Sequence, residues 1–371
     1  MAISQQEFAE QVVRQLTDAG FTALWAGGCV RDLLIGRQPK DYDVATSARP
    51  EQVREIFGKR RTLSVGECFG VIIVLGPKSA GQVEVATFRT DGCYVDGRRP
   101  ESVVFSSPEE DAQRRDFTIN GMFYDPLKKQ VFDYVGGEKD LAAGVLRAIG
   151  DPEARMEEDK LRMLRAVRFS ASFEFALDQA TADAVRSMAD QISVVSAERI
   201  SQELRRMLVD QHRYRAVELC CDVGLLLQIL PELKPVISES ERRQRLLNSL
   251  RLLVEPDFAL AFAVLLNAVV DAKGKDGTDL AGEVGRRLKL SNQEIDDTSW
   301  LLKYRRSLDD ASTLPLSRLK RVLAKKLAPD LIALIRVRAL VNNEQPVDAL
   351  FCDDYLRTTP RNILDPPPLI T

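Results

Sequence analysis

The 371-residue sequence predicts an α+β region at the amino-terminal end followed by a remainder made only of helices. Up to about residue 150, short apolar segments alternate with longer amphipathic ones, which is typical of a small mixed sheet with helices packed on it. From about Asp151 the strand pattern disappears, and apolar residues recur at spacings of three and four. A chain of this length is expected to form two to four domains.

The elements follow from the same patterns. A first helix is predicted over about residues 5–19, and a second begins after Ser107, a capping residue followed by Pro108 and acidic residues. The predicted strands are 21–26, 42–45, 71–75, 83–88 and 131–134. The later predicted helices are 161–173, 182–188, 200–208, 214–227, 243–253, 259–270 and 332–341. Residues 273–278 are predicted as a polar loop, and the proline-rich end as irregular chain.

Composition excludes several classes of protein. The net charge is −3, so any nucleic-acid surface must be a local basic patch. His212 is the only histidine, which excludes a histidine-rich metallohydrolase. A Ser-His-Asp or Cys-His mechanism would have to use this one residue. No apolar run reaches the length of a membrane span, so no membrane partner is expected. The six cysteines show no metal-ligand spacing, and we expect reduced thiols and a cytoplasmic location.

The segment from Leu24 to Thr46 carries the strongest chemical signal. An apolar run ends in Gly27-Gly28, where backbone N–H groups can approach a phosphate closely. Asp41 and Asp43 follow in a second apolar strand, so both carboxylates point to the same side. Two such carboxylates repel each other unless a cation lies between them, and Mg²⁺ binds through one or two carboxylates plus substrate phosphates. The segment therefore predicts a nucleotidyl-transfer site.

Three further segments are candidates for the same site. Glu84 alternates with valines on its strand and either completes a metal site with the aspartates or occupies a solvated face. Arg115 and Asp116, after Arg114, suit a phosphate or ribose contact, although a surface ion pair is the simpler interpretation. The loop 89–100 is glycine-rich and is either functional or a plain surface loop.

Polar side chains recur every three residues from Asp159 through Arg162 and Arg165 to Arg168. On a helix, Asp159 and Arg162 would lie side by side, whereas Arg168 would lie far round the helix from Asp159. Such a pair is usually a solvated ion pair. An aspartate and an arginine held together also present an acceptor and donors that match the amino group and ring acceptor of cytosine and adenine.

The diglycine and aspartate pair together resemble the signature of the DNA polymerase beta superfamily of nucleotidyltransferases. With the other segments, the chain resembles the class II tRNA nucleotidyltransferase and bacterial poly(A) polymerase family. The matching stretches are GGCVRDLLIGRQPKDYDVAT, EVATFR, RRDFTING, DYVGGEKDL, IGDPEARMEEDKLRMLRAVRF and AERISQELRRML. The resemblance implies a polymerase beta-like head at 1–150, a helical neck at 151–228, an RNA-binding helical body at 229–345 and a partial tail at 346–371.

The resemblance also implies the roles of individual residues. Asp41 and Asp43 would be catalytic and bind Mg²⁺, with Glu84 supporting them. Asp159 and Arg162 would select CTP and ATP, and the loop 89–100 would match a flexible loop of the family. The residues implied to contact the nucleotide are Gly27, Gly28, Arg31, Arg115, Asp116, Asp159, Arg162, Arg165 and Arg168.

The implied activity is template-independent addition of CMP and AMP to the 3′ end of tRNA. The RNA 3′-OH would attack the α-phosphate of the nucleotide, with Mg²⁺ as cofactor and pyrophosphate as product. The implied partners are CTP, ATP and the acceptor stem and elbow of tRNA, and no DNA. Within the family, CC-only addition, A-only addition and poly(A) polymerisation stay open. From other classes, a non-catalytic RNA-binding relative and a nucleotidyltransferase for small molecules are the alternatives.

Overall fold

The apolar segments predicted between residues 21 and 134 form one mixed sheet in the computed structural model, which describes residues 3–66, 70–91, 103–274 and 276–365. Two short strand pairs lie outside this sheet. The strands within the described ranges are β1 (Ala23–Ala26), β2 (Asp43–Thr46), β3 (Thr62–Gly66), β4 (Val71–Leu75), β5 (Gln82–Thr87), β6 (Arg89–Asp91), β7 (Val103–Phe105), β8 (Phe123–Asp125), β9 (Gln130–Phe132), β10 (Val145–Leu146) and β11 (Ala176–Leu177).

The main sheet has the strand order β3-β4-β5-β2-β1-β8-β9. β2 and β5 run parallel, and the other neighbouring strands run antiparallel. The register pairs Asp43, the first residue of β2, with Glu84 of β5. Side chains of directly paired residues point to the same face of a sheet, so these two carboxylates lie side by side.

Amphipathic helices pack on the sheet, and the first helix is the main example. The first helix begins with a capping box of Ser4 and Glu7, and it buries Phe8, Val12 and Leu16 in the core of the sheet. The helices of this part are α1 (Gln5–Asp18), α2 (Gly28–Leu34), α3 (Pro50–Phe57), α4 (Pro108–Gln113), α5 (Gly137–Ala143), α6 (Pro152–Glu158), α7 (Leu161–Ser172) and α8 (Gln179–Ser187).

The chain forms two compact units, Met1–Met188 and Ala189–Thr371. The second unit is helical wherever the structure describes it as regular. Its helices are α9 (Ala197–Val209), α10 (Arg213–Asp222), α11 (Leu225–Ile229), α12 (Lys234–Ile237), α13 (Ser240–Leu252), α14 (Phe258–Lys273), α15 (Gly277–Arg287), α16 (Asn292–Tyr304), α17 (Leu316–Leu323), α18 (Ala328–Val341), α19 (Val347–Thr358) and α20 (Arg361–Leu364).

The core of the second unit is built around α14. This helix is apolar on nearly all sides, and Phe262, Leu265 and Leu266 are completely buried. A helix that is apolar all round must be surrounded by other elements, which α13, α15, α16 and α18 provide. None of the helices in the described ranges combines the length and the apolar character needed to cross a membrane.

The predicted α+β fold with a helical remainder is confirmed, as are the first helix and the capped start of α4. The helix predicted over 214–227 is wrong, since α10 ends at Asp222 and Gly224 adopts a left-handed conformation before α11. The predicted irregular end contains α20. Most of the loop 89–100 lies outside the described residues, and the four described cysteines are free.

The finer domain divisions at residues 150, 228 and 345 stay predictions. The structure assigns α6, α7 and α8 to the same compact unit as the sheet. The segment that carries Asp159 and Arg162 therefore belongs to the unit that carries Asp41 and Asp43.

Candidate active site

The diglycine turn ends β1 and opens a cavity. Gly27 has a φ of 71°, a conformation that L side chains rarely adopt. A Cβ atom at Gly27 would lie 2.9 Å from Nη1 of Arg115, so a side chain at this position would displace the guanidinium. The turn thus brings bare backbone and a positive charge together at the end of β1.

The aspartate pair lies at the start of the neighbouring strand. Asp41 and Asp43 are exposed, while Tyr42 between them is buried against Trp25, so both aspartates face away from that core. The Asp43 side chain is exposed, and it lies beside Glu84 of the neighbouring strand. Desolvation and then the charge of Glu84 raise its pKa to about 6, with a smaller contribution from Asp41, and Arg115 opposes the shift.

Glu84 and Asp41 place two further carboxylates near Asp43, and both add to the rise of its pKa that desolvation causes. Within the described residues, no three or more His, Cys, Asp or Glu side chains are gathered as a metal cage. Mg²⁺ does not need such a cage, because it binds through one or two carboxylates and completes its shell with water and phosphate oxygens. The donor set of Asp41 and Asp43 therefore fits a magnesium ion held jointly with a phosphorylated ligand.

Asp111 of α4 positions two arginines beside this carboxylate cluster. It is 1% exposed, and its two oxygens accept from Nε of Arg114 at 2.9 Å and from Nη2 of Arg115 at 2.9 Å. Burial alone would raise the pKa of Asp111, but Arg115 and Arg114 outweigh burial and lower the pKa. Two arginines are thereby fixed at the cavity by one buried carboxylate.

We expect Asp111→Asn to lower the free energy of unfolding by roughly 2–4 kcal/mol, since removing one partner of a buried charge cluster leaves the others uncompensated. Urea denaturation of the two proteins measures the difference. Glu109→Gln, on the exposed surface of the same helix, is the matched control and should change stability by less than about 0.5 kcal/mol. Equal stability of Asp111→Asn and the parent would show that Asp111 does not hold the arginines.

Asp116 is a second buried carboxylate and joins three elements. Its Oδ2 accepts from Nε and Nη2 of Arg165 at 2.8 and 2.5 Å, and its Oδ1 accepts from Nδ2 of Asn120 at 3.1 Å and the N–H of Phe117 at 2.8 Å. Burial opposes ionisation, but the charge of Arg165 and these hydrogen bonds lower its pKa to about 2. Asp116 thus ties α7 to the segment after α4.

The segment from Asp159 to Arg168 is not one continuous helix, and that prediction is wrong. Asp159 has an extended backbone between α6 and α7, and its Oδ1 accepts from the N–H of Leu161 at 3.0 Å. Short polar side chains compete for backbone groups in this way, which is why aspartate favours helix starts over helix interiors. Asp159 and Arg162 therefore approach the cavity from a helix junction and not from two successive turns.

Arg162 is 8% exposed and fixed at three points. Its Nη1 donates to Oε2 of Glu158 at 2.5 Å and to the carbonyl of Arg155 at 3.0 Å, and its Nη2 donates to the carbonyl of Arg114 at 3.1 Å. A guanidinium has five N–H groups. The contacts of the described residues thus leave the Nε–H and one Nη2–H available to a ligand.

Phe169 of α7 and Phe173 at the C-cap of this helix stack with arginines. The Arg31 guanidinium lies 4.3 Å from the ring centroid of Phe173 and 5.2 Å from that of Phe169. It also donates to Oδ1 of Asp32 at 2.9 and 2.8 Å and to Oδ1 of Asn120 at 2.6 Å. These contacts hold the guanidinium in one orientation with its charge at the cavity wall.

The cavity between these elements measures about 420 Å³, which is within the usual range of small-ligand sites. Its wall contains five arginines and three aspartates, a net charge of +2, so it favours an anion. The lining residues are Gly27, Gly28, Arg31, Asp43, Arg114, Arg115, Asp116, Asn120, Asp159, Arg162, Arg165 and Phe169.

Most residues suggested by the sequence for nucleotide binding lie in this wall. Arg168 does not, since its guanidinium stacks on Phe169 at 4.0 Å from the ring centroid. Asp41 and Glu84 are also outside the lining and act on Asp43 through their charge. Asn120 and Phe169 were not singled out from the sequence, although both lie inside the motifs RRDFTING and KLRMLRAVRF that drew attention to this region.

Comparison with known proteins gives matches along both units. A family model described as the poly A polymerase head domain matches residues 23–147. A second model, described as a probable RNA and SrmB-binding site of polymerase A, matches residues 174–237. The first match includes the main sheet, the diglycine turn and the carboxylates of Asp41, Asp43 and Glu84.

Named relatives fall into two groups. A CCA-adding enzyme of Lactobacillus helveticus (strain DPC 4571) is 41% identical over 240 residues, which are 61% of this chain and 59% of that protein. Poly(A) polymerase I of Escherichia coli O157:H7 is 39% identical over 254 residues, which are 64% of this chain and 54% of that protein. The chain therefore matches little more than half the length of these relatives.

A solved structure matches nearly the whole chain. The CCA-adding enzyme of Bacillus stearothermophilus, crystallised in complex with CTP, aligns with a TM-score of 0.77 and 29% sequence identity. The alignment covers 96% of this chain and 84% of that one.

Proposed function

Because the chain belongs to the poly(A) polymerase and CCA-adding enzyme family, we propose that it adds CMP and AMP to the 3′ end of tRNA. The observation that carries the proposal is the cavity, whose wall brings together Asp43, five arginines that include Arg162, and Asp159. A CTP complex of the structurally similar enzyme supports a nucleoside triphosphate as ligand.

In the proposed reaction, the 3′-oxygen of the RNA forms a bond to the α-phosphorus of the nucleotide. The bond from the α-phosphorus to the bridging oxygen breaks, pyrophosphate leaves, and the hydroxyl proton is lost. Asp41 and Asp43 would hold Mg²⁺, which when bound lowers the pKa of the hydroxyl and neutralises charge on the phosphates. Glu84 lies beside Asp43 and keeps the local potential negative, which strengthens cation binding.

The arginines contribute binding and orientation. Arg115, fixed by Asp111, and Arg31, fixed by Asp32 and Asn120, place positive charge next to the diglycine turn, where the triphosphate would lie. Fixed guanidinium groups bind phosphate oxygens without losing side-chain entropy at each turnover. The same preorganisation favours one pose of the α-phosphate over others.

Base selection would come from the helix junction. The Asp159 carboxylate accepts from an exocyclic amino group, and the available N–H groups of Arg162 donate to a ring acceptor. Cytosine and adenine carry that amino group beside an acceptor, whereas uracil and guanine do not present this order. The same two residues could thus accept CTP and ATP and reject UTP and GTP.

The defining experiment supplies purified protein with tRNA ending before the first C, after C and after CC, together with each labelled nucleotide. We expect C addition to the first two substrates and A addition to the third. Long A tracts would instead assign poly(A) polymerisation, which the 39% identity to Poly(A) polymerase I keeps as the second candidate. Addition to a single substrate would assign a partial enzyme, and no addition to any would refute the proposal.

Arg162→Lys tests base selection. Lysine keeps the charge but lacks the planar N–H array, so we expect discrimination of CTP and ATP against UTP and GTP to fall roughly 10- to 100-fold. The ratio of kcat/KM values for the four nucleotides measures this change. Arg168→Lys, whose guanidinium lies outside the cavity wall, is the control. An unchanged nucleotide preference in Arg162→Lys would make Arg162 a structural residue only.

A further inference from the structure

Another cavity, of about 430 Å³, lies between three helices of the second unit. Residues of α13, α14 and α18 line it, and we call it the α13–α14–α18 cavity. The apolar part of its wall includes Val264, Leu334 and Val337, which are at most 5% exposed. Asp271 and Arg306 line the same cavity and are exposed. The cavity therefore extends from the surface of this unit into its apolar interior.

Asn267 is the one polar residue of α14 between Phe258 and Val270. Its Nδ2 donates to Oδ2 of Asp271 at 2.8 Å, whereas its Oδ1 is buried without a hydrogen-bond partner among the described residues. A buried acceptor without a partner costs about 1–3 kcal/mol, which an apolar side chain at this position would avoid. The contribution of Asn267 is therefore its hydrogen bond to Asp271, which holds that carboxylate at the wall of the cavity.

Four arginines line the cavity, and three of them are neutralised by carboxylates of the fold. Those pairs are Arg242 with Glu239 at 2.9 Å, Arg245 with Glu241 at 3.3 Å, and Arg338 with Asp309. The guanidinium of the fourth, Arg306, has no hydrogen bond or ion pair to any side chain that the structure describes. Asp271 forms no ion pair with those side chains either. One cation and one anion thus remain at the wall without a charged partner.

We propose that the α13–α14–α18 cavity binds a small zwitterion with an apolar body, which is the chemistry of a free apolar amino acid or a short apolar peptide. The guanidinium of Arg306 donates to the carboxylate of the ligand, and Asp271 accepts from its ammonium group. The buried part of the wall contacts the apolar side chains of the ligand, as is usual in cavities between helices. The inference does not depend on the proposed function, because this cavity shares no lining residue with the candidate active site.

The volume of the cavity favours a peptide over a single amino acid. A water molecule occupies about 30 Å³ of the liquid, so 430 Å³ corresponds to roughly 14 non-hydrogen atoms. That number is larger than the number in leucine and close to the number in a dipeptide of two leucines. We therefore choose L-leucyl-L-leucine as the probe.

The charges of the wall argue against a phosphorylated ligand. A nucleotide phosphate carries about two negative charges and is usually bound by several cations. Of the four arginines here, Arg306 alone lacks a charged partner among the described side chains, and Asp271 repels a second negative charge. A carboxylate together with an ammonium group matches the two residual charges.

The test measures binding of L-leucyl-L-leucine to the full chain by isothermal titration calorimetry. N-acetyl-L-leucyl-L-leucine lacks the ammonium group of this probe, and L-leucyl-L-leucinamide lacks its carboxylate. The cavity variants are Arg306→Gln and Asp271→Asn. Their matched controls are Arg336→Gln on α18 and Asp296→Asn on α16, because neither residue lines the cavity. Thermal unfolding checks that all four variants are folded.

We expect the parent to bind each blocked probe roughly 10- to 100-fold more weakly than the dipeptide, the usual effect of losing a hydrogen bond to a charged group. Arg306→Gln should weaken binding of the dipeptide by a similar factor and should no longer distinguish it from the amide. Asp271→Asn should no longer distinguish the dipeptide from its N-acetyl form. The two controls should stay within about 3-fold of the parent.

L-Leucine as a second probe distinguishes the two sources of the ligand. Tighter binding of the dipeptide assigns the cavity to a peptide, and tighter binding of leucine assigns it to a free amino acid. The inference is overturned if neither probe binds at millimolar concentration. Equal binding of the dipeptide and both blocked forms by the parent would also overturn it, since the charges would then play no part. Tighter binding of AMP than of the dipeptide would overturn it in favour of a nucleotide.

Discussion

The Asp43→Asn variant is expected to lose nucleotide addition and, in EDTA, to unfold at a higher temperature than the parent. Loss of a metal-binding carboxylate should lower kcat roughly 1,000-fold or more. The stability gain has a separate cause, because desolvation, and then the charges of Glu84 and Asp41, raise the pKa of Asp43 to about 6 and make its ionised form unfavourable in the fold. Asparagine removes this desolvated charge and its repulsion, as is common where function maintains an unfavourable charge.

The sign of the pH dependence follows from the direction of the shift. The folded protein holds the Asp43 proton up to about pH 6, whereas the unfolded chain releases it near pH 3.8, so the parent loses stability as the pH rises through this interval. The rise of the Asp43 pKa from 3.8 to about 6 would correspond to about 3 kcal/mol, but solvent screening of this exposed side chain reduces the free-energy difference to roughly 1 kcal/mol. That corresponds to roughly 2–4 °C in the thermal midpoint.

Thermal unfolding at pH 7.5 and pH 4 tests this expectation, with Asp296→Asn, exposed and away from both ends of α16, as the control. The Asp43→Asn advantage should be present at pH 7.5 and absent at pH 4, while Asp296→Asn should show none at either pH. Added Mg²⁺ should stabilise the parent more than Asp43→Asn. A variant less stable than the parent in EDTA at pH 7.5 would contradict the proposed crowding of carboxylates.

The parts of this site that follow local backbone rules could be predicted from the sequence. Alternation on a strand placed Asp41 and Asp43 on one side, and it placed Glu84 on the face opposite its neighbouring valines. The diglycine turn followed from an apolar strand that ends in residues with no side chain. The structure adds the register that pairs Asp43 with Glu84, which depends on strands 41 residues apart.

The helical interpretation of Asp159 and Arg162 failed because spacing alone does not distinguish a helix interior from a helix start. The i, i+3 spacing was satisfied in the sequence, but the Asp159 side chain accepts from the N–H of Leu161 and breaks the helix. The apolar spacing from Leu161 onward predicted α7 correctly. Whether Asp159 lies inside a helix or just before one decides where its side chain points. The apolar spacing from Leu161 onward is the same in both cases, so the pattern cannot tell them apart.

Asn120 and Phe169 were missed because their roles depend on contacts that are distant along the chain. Asn120 accepts from Arg31, which is 89 residues away, and donates to Asp116. Phe169 has the apolar spacing of a core residue on α7, and only tertiary packing places its ring beneath the guanidinium groups of Arg31 and Arg165. Neither contact leaves a periodic signal in the sequence.

Asp116→Asn is expected to lower the free energy of unfolding about as much as Asp111→Asn does. Asp116 accepts two hydrogen bonds from Arg165 and one each from Asn120 and Phe117. Removing its charge leaves Arg165 without this partner, and removal of one member of a buried ion pair costs about 3–5 kcal/mol. Since 31% of the Arg165 side chain is exposed, water recovers part of this loss, and we expect about 2–4 kcal/mol.

The pH dependence of this stability is opposite in sign to that of Asp43. The pKa of Asp116 is about 2 in the fold and near 3.8 in the unfolded chain, so its contribution is complete above about pH 5 and is lost as the pH falls towards 2. Urea denaturation at pH 7 should therefore show the full difference between parent and Asp116→Asn, and at pH 3 a smaller one. A difference that stays constant with pH would mean that asparagine disturbs packing and not charge.

A double-mutant cycle with Arg165→Met assigns the effect to the pair. If Asp116 stabilises the fold mainly through Arg165, the sum of the stability losses in the two single variants should exceed the loss in the double variant by at least about 1 kcal/mol. Additive losses would mean that Asp116 stabilises the fold through its hydrogen bonds from Asn120 and from the N–H of Phe117. Because Arg165 lines the cavity and Asp116 fixes its guanidinium, the coupled case also predicts that Asp116→Asn raises the KM for the nucleotide more than it lowers kcat.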